Sequence, residues 1–406
     1  MYTFTTAITK EEYLSFISQQ ELAHYSKTPF WADFQTSTRH YVGLNNGNEL
    51  VASAMILERK WFGLPYFYIP AGPCLDIHNY EVFSKLLNGI IEFSKQRKAF
   101  MIRLDPNIQR VSRDIYGTQT DEISNEFITE FLIQQGFKHK GYGYAYNGSW
   151  TNRFTLVLDI QPNYDEIFNK FIKSRQNRLR RHDIMGISSR LANPSELHHL
   201  CLLEKDLSEA QGFKPHSVAF FQKLLSCFKD NSQFYLTEVD LSILHQNTLD
   251  ELNSNKYAKD KEAYASKKKS LTTIEALQQQ FGQKAVIAGG ITLYFGKQAW
   301  NLYLYNKKEF TFLNGSDNTH IFSIQDLKSR GITSYDLCGF SGNSDKNDPY
   351  YGLYNYKSSF GTKFIEYIGE FDYINSEKKY NFFISSYRHY RRLYRKITTL
   401  RYTKKN

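Results

Sequence analysis

Ala99-Phe100-Met101-Ile102-Arg103-Leu104-Asp105-Pro106 is the stretch on which the fold turns. It reads as a buried strand that closes on a carboxylate and stops at a proline, which cannot donate to a ladder. Ile332-Thr333-Ser334-Tyr335-Asp336-Leu337 repeats that reading in the second half, again with an acid at the strand end. Working outward from the first copy, residues 79–97 carry apolar side chains at helical spacing: Phe83, Leu86, Leu87, Ile90 and Ile91. Before them come a strand at 66–69 and a hairpin of strands 41–44 and 50–57 about Asn45-Asn46-Gly47. The second copy is preceded by strands at 234–239, 285–295 and 301–305, a loop with Gly315, and a helix carrying Phe322, Ile324 and Leu327. Hairpin strands, glycine-bearing loop, helix and acid-ended strand thus recur in one order. This points to an internal duplication of an α/β unit, with Asp105 and Asp336 in matching places.

The flanking stretches are plainer. Residues 10–40 read as helical, broken at Pro29-Phe30-Trp31, residues 123–135 as a helix stopped at Gly136, and 154–158 as a strand. Residues 241–282 separate two strands that ought to be hairpin neighbours. Leu241, Leu244, Leu249 and Leu252 form one apolar stripe, and Tyr257, Tyr264 and Leu271 recur every seven residues. The expectation is an antiparallel helical hairpin bending near Asn253-Ser254-Asn255. The predicted organisation is α/β (α+β), with a first domain at 1–150 completed by 366–406. A second spans 151–240 and 283–365, with the helical arm at 241–282 inserted into it.

Composition narrows the function. A chain of 406 residues with 41% hydrophobic content has room for two cores. The charge of 51 − 41 = +10 favours an anionic partner, but it is concentrated. Residues 376–406 hold ten Lys/Arg and one acid, Glu377, so the tail contributes +9. Its rings, Tyr380, Phe383, Tyr387, Tyr390 and Tyr394, followed by Ile397, fall on one helical stripe. Such a helix can dock on the core, rest on an anionic membrane surface, or both. The four cysteines, Cys74, Cys201, Cys227 and Cys338, show no metal spacing and fit reduced thiols in a cytosol. No metal site is expected, no signal peptide is read at the N-terminus, and no apolar run approaches the roughly 20 residues that span a bilayer.

Three basic constellations could carry chemistry. In Tyr350-Tyr351-Gly352-Leu353-Tyr354-Asn355-Tyr356-Lys357-Ser358-Ser359-Phe360-Gly361, one lysine stands among rings. Desolvated, it would be a focused cation for a phosphate or an oxyanion; otherwise it snorkels from an ordinary aromatic strand. Residues 170–181 hold Lys170, Lys173, Arg175, Arg178, Arg180 and Arg181 without an acid. They would either pair with phosphates or form a surface helix offset by Asp165, Glu166 and Asp183. Lys267-Lys268-Lys269 on the arm is read first as a solvated face and second as a nucleic-acid contact. Paired α/β units suggest an acyltransferase, but neither helix is preceded by the glycine-rich turn that cradles coenzyme A, and no cofactor is expected.

Several segments together resemble the FemABX family, the Fem proteins and MurM/MurN. Gly352 to Gly361 is similar to its Gly-Leu-x-x-Phe-Lys-x-x-Phe-Gly segment, with Tyr356 in the Phe place. Tyr68-Ile69-Pro70-Ala71-Gly72-Pro73 resembles Tyr-Ile-Pro-Arg-Gly-Pro, and Ile102 to Pro106 matches closely. Lys173-Ser174-Arg175-Gln176-Asn177 and Tyr335-Asp336-Leu337-Cys338-Gly339 resemble two further motifs. The resemblance implies two tandem acetyltransferase-like (GNAT-type) domains with a helical coiled-coil arm. It implies a tRNA-dependent aminoacyltransferase that moves Ala, Ser or Gly from aminoacyl-tRNA to an amine of lipid II, or of a nucleotide-linked precursor. The alternative is a degenerate member that only binds tRNA or a cell-wall enzyme.

On that resemblance Lys357 steadies the oxyanion or the tRNA terminus. Asp105 is one candidate base, a structural cap before Pro106 being the other reading. Tyr356 and Phe360 wall the aminoacyl end. Trp31, Gln35, His216, Phe220, Tyr303 and Tyr305 lie about the acceptor, and Lys173, Arg175, Arg178, Lys267 and Lys268 about the tRNA. Gln35, His216 and Phe220 depart from the Lys, Arg and Tyr with which relatives hold a diphosphate, and Ala71 replaces an Arg. The expected setting is cytoplasmic, peripheral at the anionic inner face of the membrane through the basic C-terminal helix.

Overall fold

The computed structural model describes residues 1–144, 149–257 and 260–403. In chain order they form β1 (Tyr2–Thr5), α1 (Lys10–Ser18), α2 (Pro29–Gln35), β2 (Thr38–Asn46), β3 (Glu49–Trp61), β4 (Leu64–Ile69), α3 (Tyr80–Gln96), β5 (Met101–Leu104), β6 (Gln109–Arg113) and β7 (Gln119–Ser124). Then come α4 (Glu126–Gln134), β8 (Lys138–His139), β9 (Phe154–Asp159), α5 (Tyr164–Asn169), α6 (Lys173–Leu179), β10 (Ile187–Leu191), α7 (Leu197–Gln211), α8 (Val218–Phe228) and β11 (Ser232–Asp240). The rest are α9 (Leu241–Asn253), α10 (Lys261–Phe281), β12 (Lys284–Phe295), β13 (Gln298–Asn306), α11 (Gly315–Ser329), β14 (Ser334–Gly339), α12 (Tyr351–Ser358), β15 (Lys363–Tyr367), β16 (Phe371–Ile374) and α13 (Glu377–Thr403).

The duplication is visible in the sheets. The first runs β1-β2-β3-β4-β5-β16-β8 and the second β10-β11-β12-β13-β14-β9-β15-β6-β7. In each, an antiparallel meander ends in one parallel pair, β4 with β5 and β13 with β14, bridged by a crossover helix, α3 or α11. Parallel neighbours need such a crossover, which is why the helical stretch falls where it does. Asp105 follows β5 and Asp336 lies in β14, so the two acids are topological equivalents.

The expected boundary near residue 150 does not separate the sheets. β6 and β7 leave the first segment and complete the edge of the second sheet, while β16 returns from the C-terminal segment to pair with β5. A buried carboxylate fastens the exchange: Glu366 of β15 accepts from Arg110 and Arg113 of β6 and from Arg153 beside β9. One apolar cluster also bridges the sheets, with Met55, Leu57 and Tyr68 from the first and Phe295 and Trp300 from the second.

Amphipathic helices supply the cores. The periodic face of α3 packs on Val42, Ile56, Phe67 and Ile102, and its first turn is capped by Asn79, which accepts from Val82 N–H at 3.1 Å. Each such Leu, Ile or Phe contributes about 1.5–3 kcal/mol of transfer free energy. α7 and α8 cover β11 and β12, and α11 lies across β10 to β13, with Ile324 and Leu327 in one apolar cluster with Tyr335 and Leu337 of β14. The 10–40 region is less helical than expected: α1 and α2 are short, and the strand begins at Thr38.

The arm is a helix pair between β11 and β12, as the spacing suggests, with its first helix ending at Asn253. Its second helix is the longer, so the seven-residue stripe is only partly covered. Ile274 and Leu277 are buried, whereas Tyr264 is exposed.

Candidate functional site

A cavity of about 560 Å³ lies where the two units meet. Its walls come from the 24–35 segment, the ends of β4, β5 and β14, the 149–155 segment, the 367–370 turn, and Tyr387 and Arg391 of α13. Both equivalent acids, Asp105 and Asp336, border it.

Each acid is built in. Asp105 is buried; its carboxylate accepts from the Tyr68 hydroxyl at 2.8 Å and from Ala71 N–H at 2.7 Å. Ala71 offers that N–H from a left-handed conformation, φ 52°, in the 70–73 loop. Burial outweighs these bonds and pushes Asp105 up to about 7. Asp336 accepts from the Thr155 hydroxyl and from Cys338 N–H at 2.6 Å. Burial raises it to about 6 against the pull of those bonds and of Lys357. Glu370, a third lining acid, is also raised by burial, against nearby Arg103. Acids that titrate near neutrality in a cleft are suited to taking and returning protons. The duplicated strand ends marked Asp336 as surely as Asp105, yet sequence reasoning placed only Asp105 in the site.

Lys357 stands behind this cavity rather than in its lining. Its ammonium donates to the carbonyl oxygens of Cys338, at 2.9 Å, and Gly339, at 2.8 Å, and both of those residues do line it. Burial lowers its pKa, opposed by Cys338 and Asp336. The wall it holds is tight: a Cβ on Gly339 would sit 2.0 Å from the Asn152 amide.

Tyr356 and Phe360 are not walls of the cavity. The segment is the helix α12, not an extended strand, so alternate residues do not share a face. Tyr354 joins Phe154, Phe340 and Phe364, while Tyr356 and Phe360, four apart, turn to the core under α11. The Tyr356 hydroxyl donates to Ser316 Oγ at 3.0 Å, and Phe360 is fully buried against Phe171 and His320. Of the two bracketing glycines, only Gly361 is required: φ is +69°, and a Cβ would meet Lys170 at 2.7 Å.

The basic residues of 170–181 divide. Arg175 is buried, ion-paired with Asp317, and its guanidinium lies 3.7 Å from the Phe360 ring centroid. Arg178 donates to the same carboxylate at 3.0 Å. Arg175 is therefore a structural cation and not a phosphate contact. Its replacement by Met strands the buried Asp317 on one partner, and chemical denaturation is expected to show a loss of about 3 kcal/mol. Lys173 is exposed. On the arm, Lys267 is spent on Glu251 at 2.5 Å, whereas Lys268 is exposed.

Of the expected acceptor residues, Trp31 and Gln35 border the cavity. His216, Phe220, Tyr303 and Tyr305 form a separate aromatic cluster. His216 stacks on Phe220 at 4.0 Å and bonds Glu204 at 2.6 Å, which also accepts from the Tyr305 hydroxyl at 3.0 Å. Phe34 joins this cluster to Trp31, with ring separations of 5.2 and 5.5 Å. Glu204 had no local signal: it is one acid on an amphipathic helix.

The FemAB family profile matches residues 8–388. The chain is 25% identical over 404 residues to the lipid II:glycine glycyltransferase of Staphylococcus aureus, covering 92% of this chain and 93% of that protein. The same enzyme from strain MRSA252 is 24% identical over the same coverage. The crystal structure of FemX superposes with a TM-score of 0.78 at 22% identity, over 94% of this chain and 99% of that one.

Proposed function

The chain belongs to the FemAB family, and on that premise we propose that it is a tRNA-dependent aminoacyltransferase that adds Ala, Ser or Gly to an amine on the stem peptide or growing bridge of lipid II, building peptidoglycan branches. The observation that carries this reading is the pair of near-neutral acids, Asp105 and Asp336, on one cavity. An aminoacyl ester is already activated, so the protein's tasks are alignment and proton transfer. The acceptor amine nitrogen attacks the ester carbonyl, the C–N bond forms, and the ribose oxygen leaves. A lysine side chain has a pKa of about 10.4, so it arrives as an ammonium and gives one proton to solvent to become the nucleophile. As the amide forms its nitrogen loses a second proton, which Asp105 takes and passes to the leaving ribose oxygen. Lys357 supplies positive charge behind the wall on which the oxyanion develops. Lys173 and Lys268, exposed on α6 and the arm, contact tRNA phosphates.

Among the described residues no helix is long and apolar enough to cross a membrane. Contact with an anionic membrane surface is instead supported by α13. Its inner face docks through Tyr380 and Phe383 on Tyr66 and Phe100, and Trp61 donates to Ser386 at 2.8 Å. Its outer face exposes Phe382 (46%) and Leu393 (58%), and Phe62, at the turn between β3 and β4, is 75% exposed and 6.0 Å from Phe382. Tyr394, Ile397 and the basic side chains beyond them lie outside the described side chains. Rings amid cations suit an anionic interface. Phe62→Ser is expected to weaken co-sedimentation with anionic vesicles about tenfold, from the lost burial of one ring. Unchanged binding would count against this face.

The cellular test is the muropeptide profile with and without the protein. Loss of one bridge or branch residue is expected, and an unchanged profile contradicts the reading.

A further inference from the structure

The cavity is graded in charge. Its acids, Asp105, Asp336 and Glu370, are all buried. Its more accessible cations are Arg59, Lys140 and Arg391. A ligand that spans it meets negative charge at depth and positive charge at the mouth.

Arg59 is the informative member. It is half-buried on β3, its guanidinium 4.8 Å from the Tyr68 ring centroid and close enough to Tyr66 for its charge to oppose the upward push of burial on that phenol. Both neighbours are tyrosines, and it forms no ion pair with a carboxylate among the described residues. A guanidinium drawn into a cleft with no carboxylate paired to it is poised for an anion from outside, and its planar fork matches phosphate. Lys140 adds surplus charge: its partner Asp372, 3.5 Å away, is already held by both ends of the Arg103 fork at 2.6 and 2.7 Å. Arg391 brings a third cation from α13.

The alternative location is closed. Gln35 and Phe220 carry no charge, and His216 is committed to Glu204. We infer that the cavity mouth, centred on Arg59 with Lys140 and Arg391, is a phosphate-binding subsite that holds the diphosphate of the acceptor while its amine reaches the acids below. The inference rests on the proposed transfer to lipid II for the identity of the ligand. The mouth lies beside the α13 face, so an acceptor held in a bilayer presents its diphosphate there.

The test compares acceptors with and without the diphosphate. For Arg59→Gln, the KM for lipid II is expected to rise about tenfold with kcat within about twofold, the loss of a charge-assisted contact. The KM values for a phosphate-free stem pentapeptide and for aminoacyl-tRNA stay as in the wild type. An equal rise for the pentapeptide, a rise for tRNA instead, or no change overturns the subsite. Binding of inorganic pyrophosphate, read by quenching of tryptophan fluorescence because Trp150 borders the cavity, gives an arm that needs no turnover. If the wild-type protein transfers to neither acceptor, the functional reading falls. Pyrophosphate binding that depends on Arg59 then still upholds the subsite, and binding indifferent to the variant overturns it.

Discussion

Asp105→Asn lowers kcat/KM on the order of a hundred- to ten-thousandfold, the range of a lost general base. Asn keeps the size of the side chain and one acceptor oxygen for the Tyr68 hydroxyl or Ala71 N–H, so the loss is chemical and not a collapse of the loop. The pH profile carries the sign. A carboxyl held at about 7 by burial must be ionised to accept a proton, so wild-type kcat/KM rises with pH through about 7 and then levels. The variant loses that limb and retains the one from Asp336, near 6. Tyr68→Phe removes a bond that favours the charged form and moves the limb to higher pH. A change under about threefold, with the limb unmoved, would return Asp105 to the role of a loop cap.

Lys357→Met lowers kcat by about a hundredfold or more, the usual consequence of removing one preorganised electrostatic group. Two of the three ammonium donors serve the carbonyls of Cys338 and Gly339, so the variant also loosens the wall that carries Cys338 at φ 65°. Its charge sits in a desolvated position, where it acts on Asp336 more strongly than it would in water. Without it Asp336 rises further, and the lower limb of the pH profile shifts upward. Arg is not a conservative substitute here, because a planar fork cannot follow a point charge between two carbonyls. Full activity in Lys357→Met with an unmoved profile would mean that the lysine is only a brace.

What the sequence revealed was local. Strand, helix and turn patterns recur at short range, so the repeated unit, the inserted arm and the paired acids were all legible before any contact was known. The family motifs then led to the right family. The exchange of β6 into the second sheet was not legible: pairing β6 with β15 joins residues some 250 positions apart, and nothing local records it. The basic run at 170–181 misled for the same reason: the acid that captures Arg175 lies 142 residues away. In the Lys357 segment, rings at alternate positions suggested a strand, while the helix α12 sends Tyr354 and Tyr356 into different cores. Glu204 and Glu370 were invisible because a single acid has no pattern; only the fold brings them to His216 and the cavity.

The most direct measurement is transfer itself. Purified protein is incubated with lipid II in anionic vesicles and with glycyl-, alanyl- or seryl-tRNA carrying a labelled amino acid. The expected result is label in amide linkage to lipid II from at least one donor, released by neither mild base nor hydroxylamine. Binding of tRNA or lipid II with no label transferred from any of the three donors, to lipid II or to the nucleotide-linked precursor, would contradict the account.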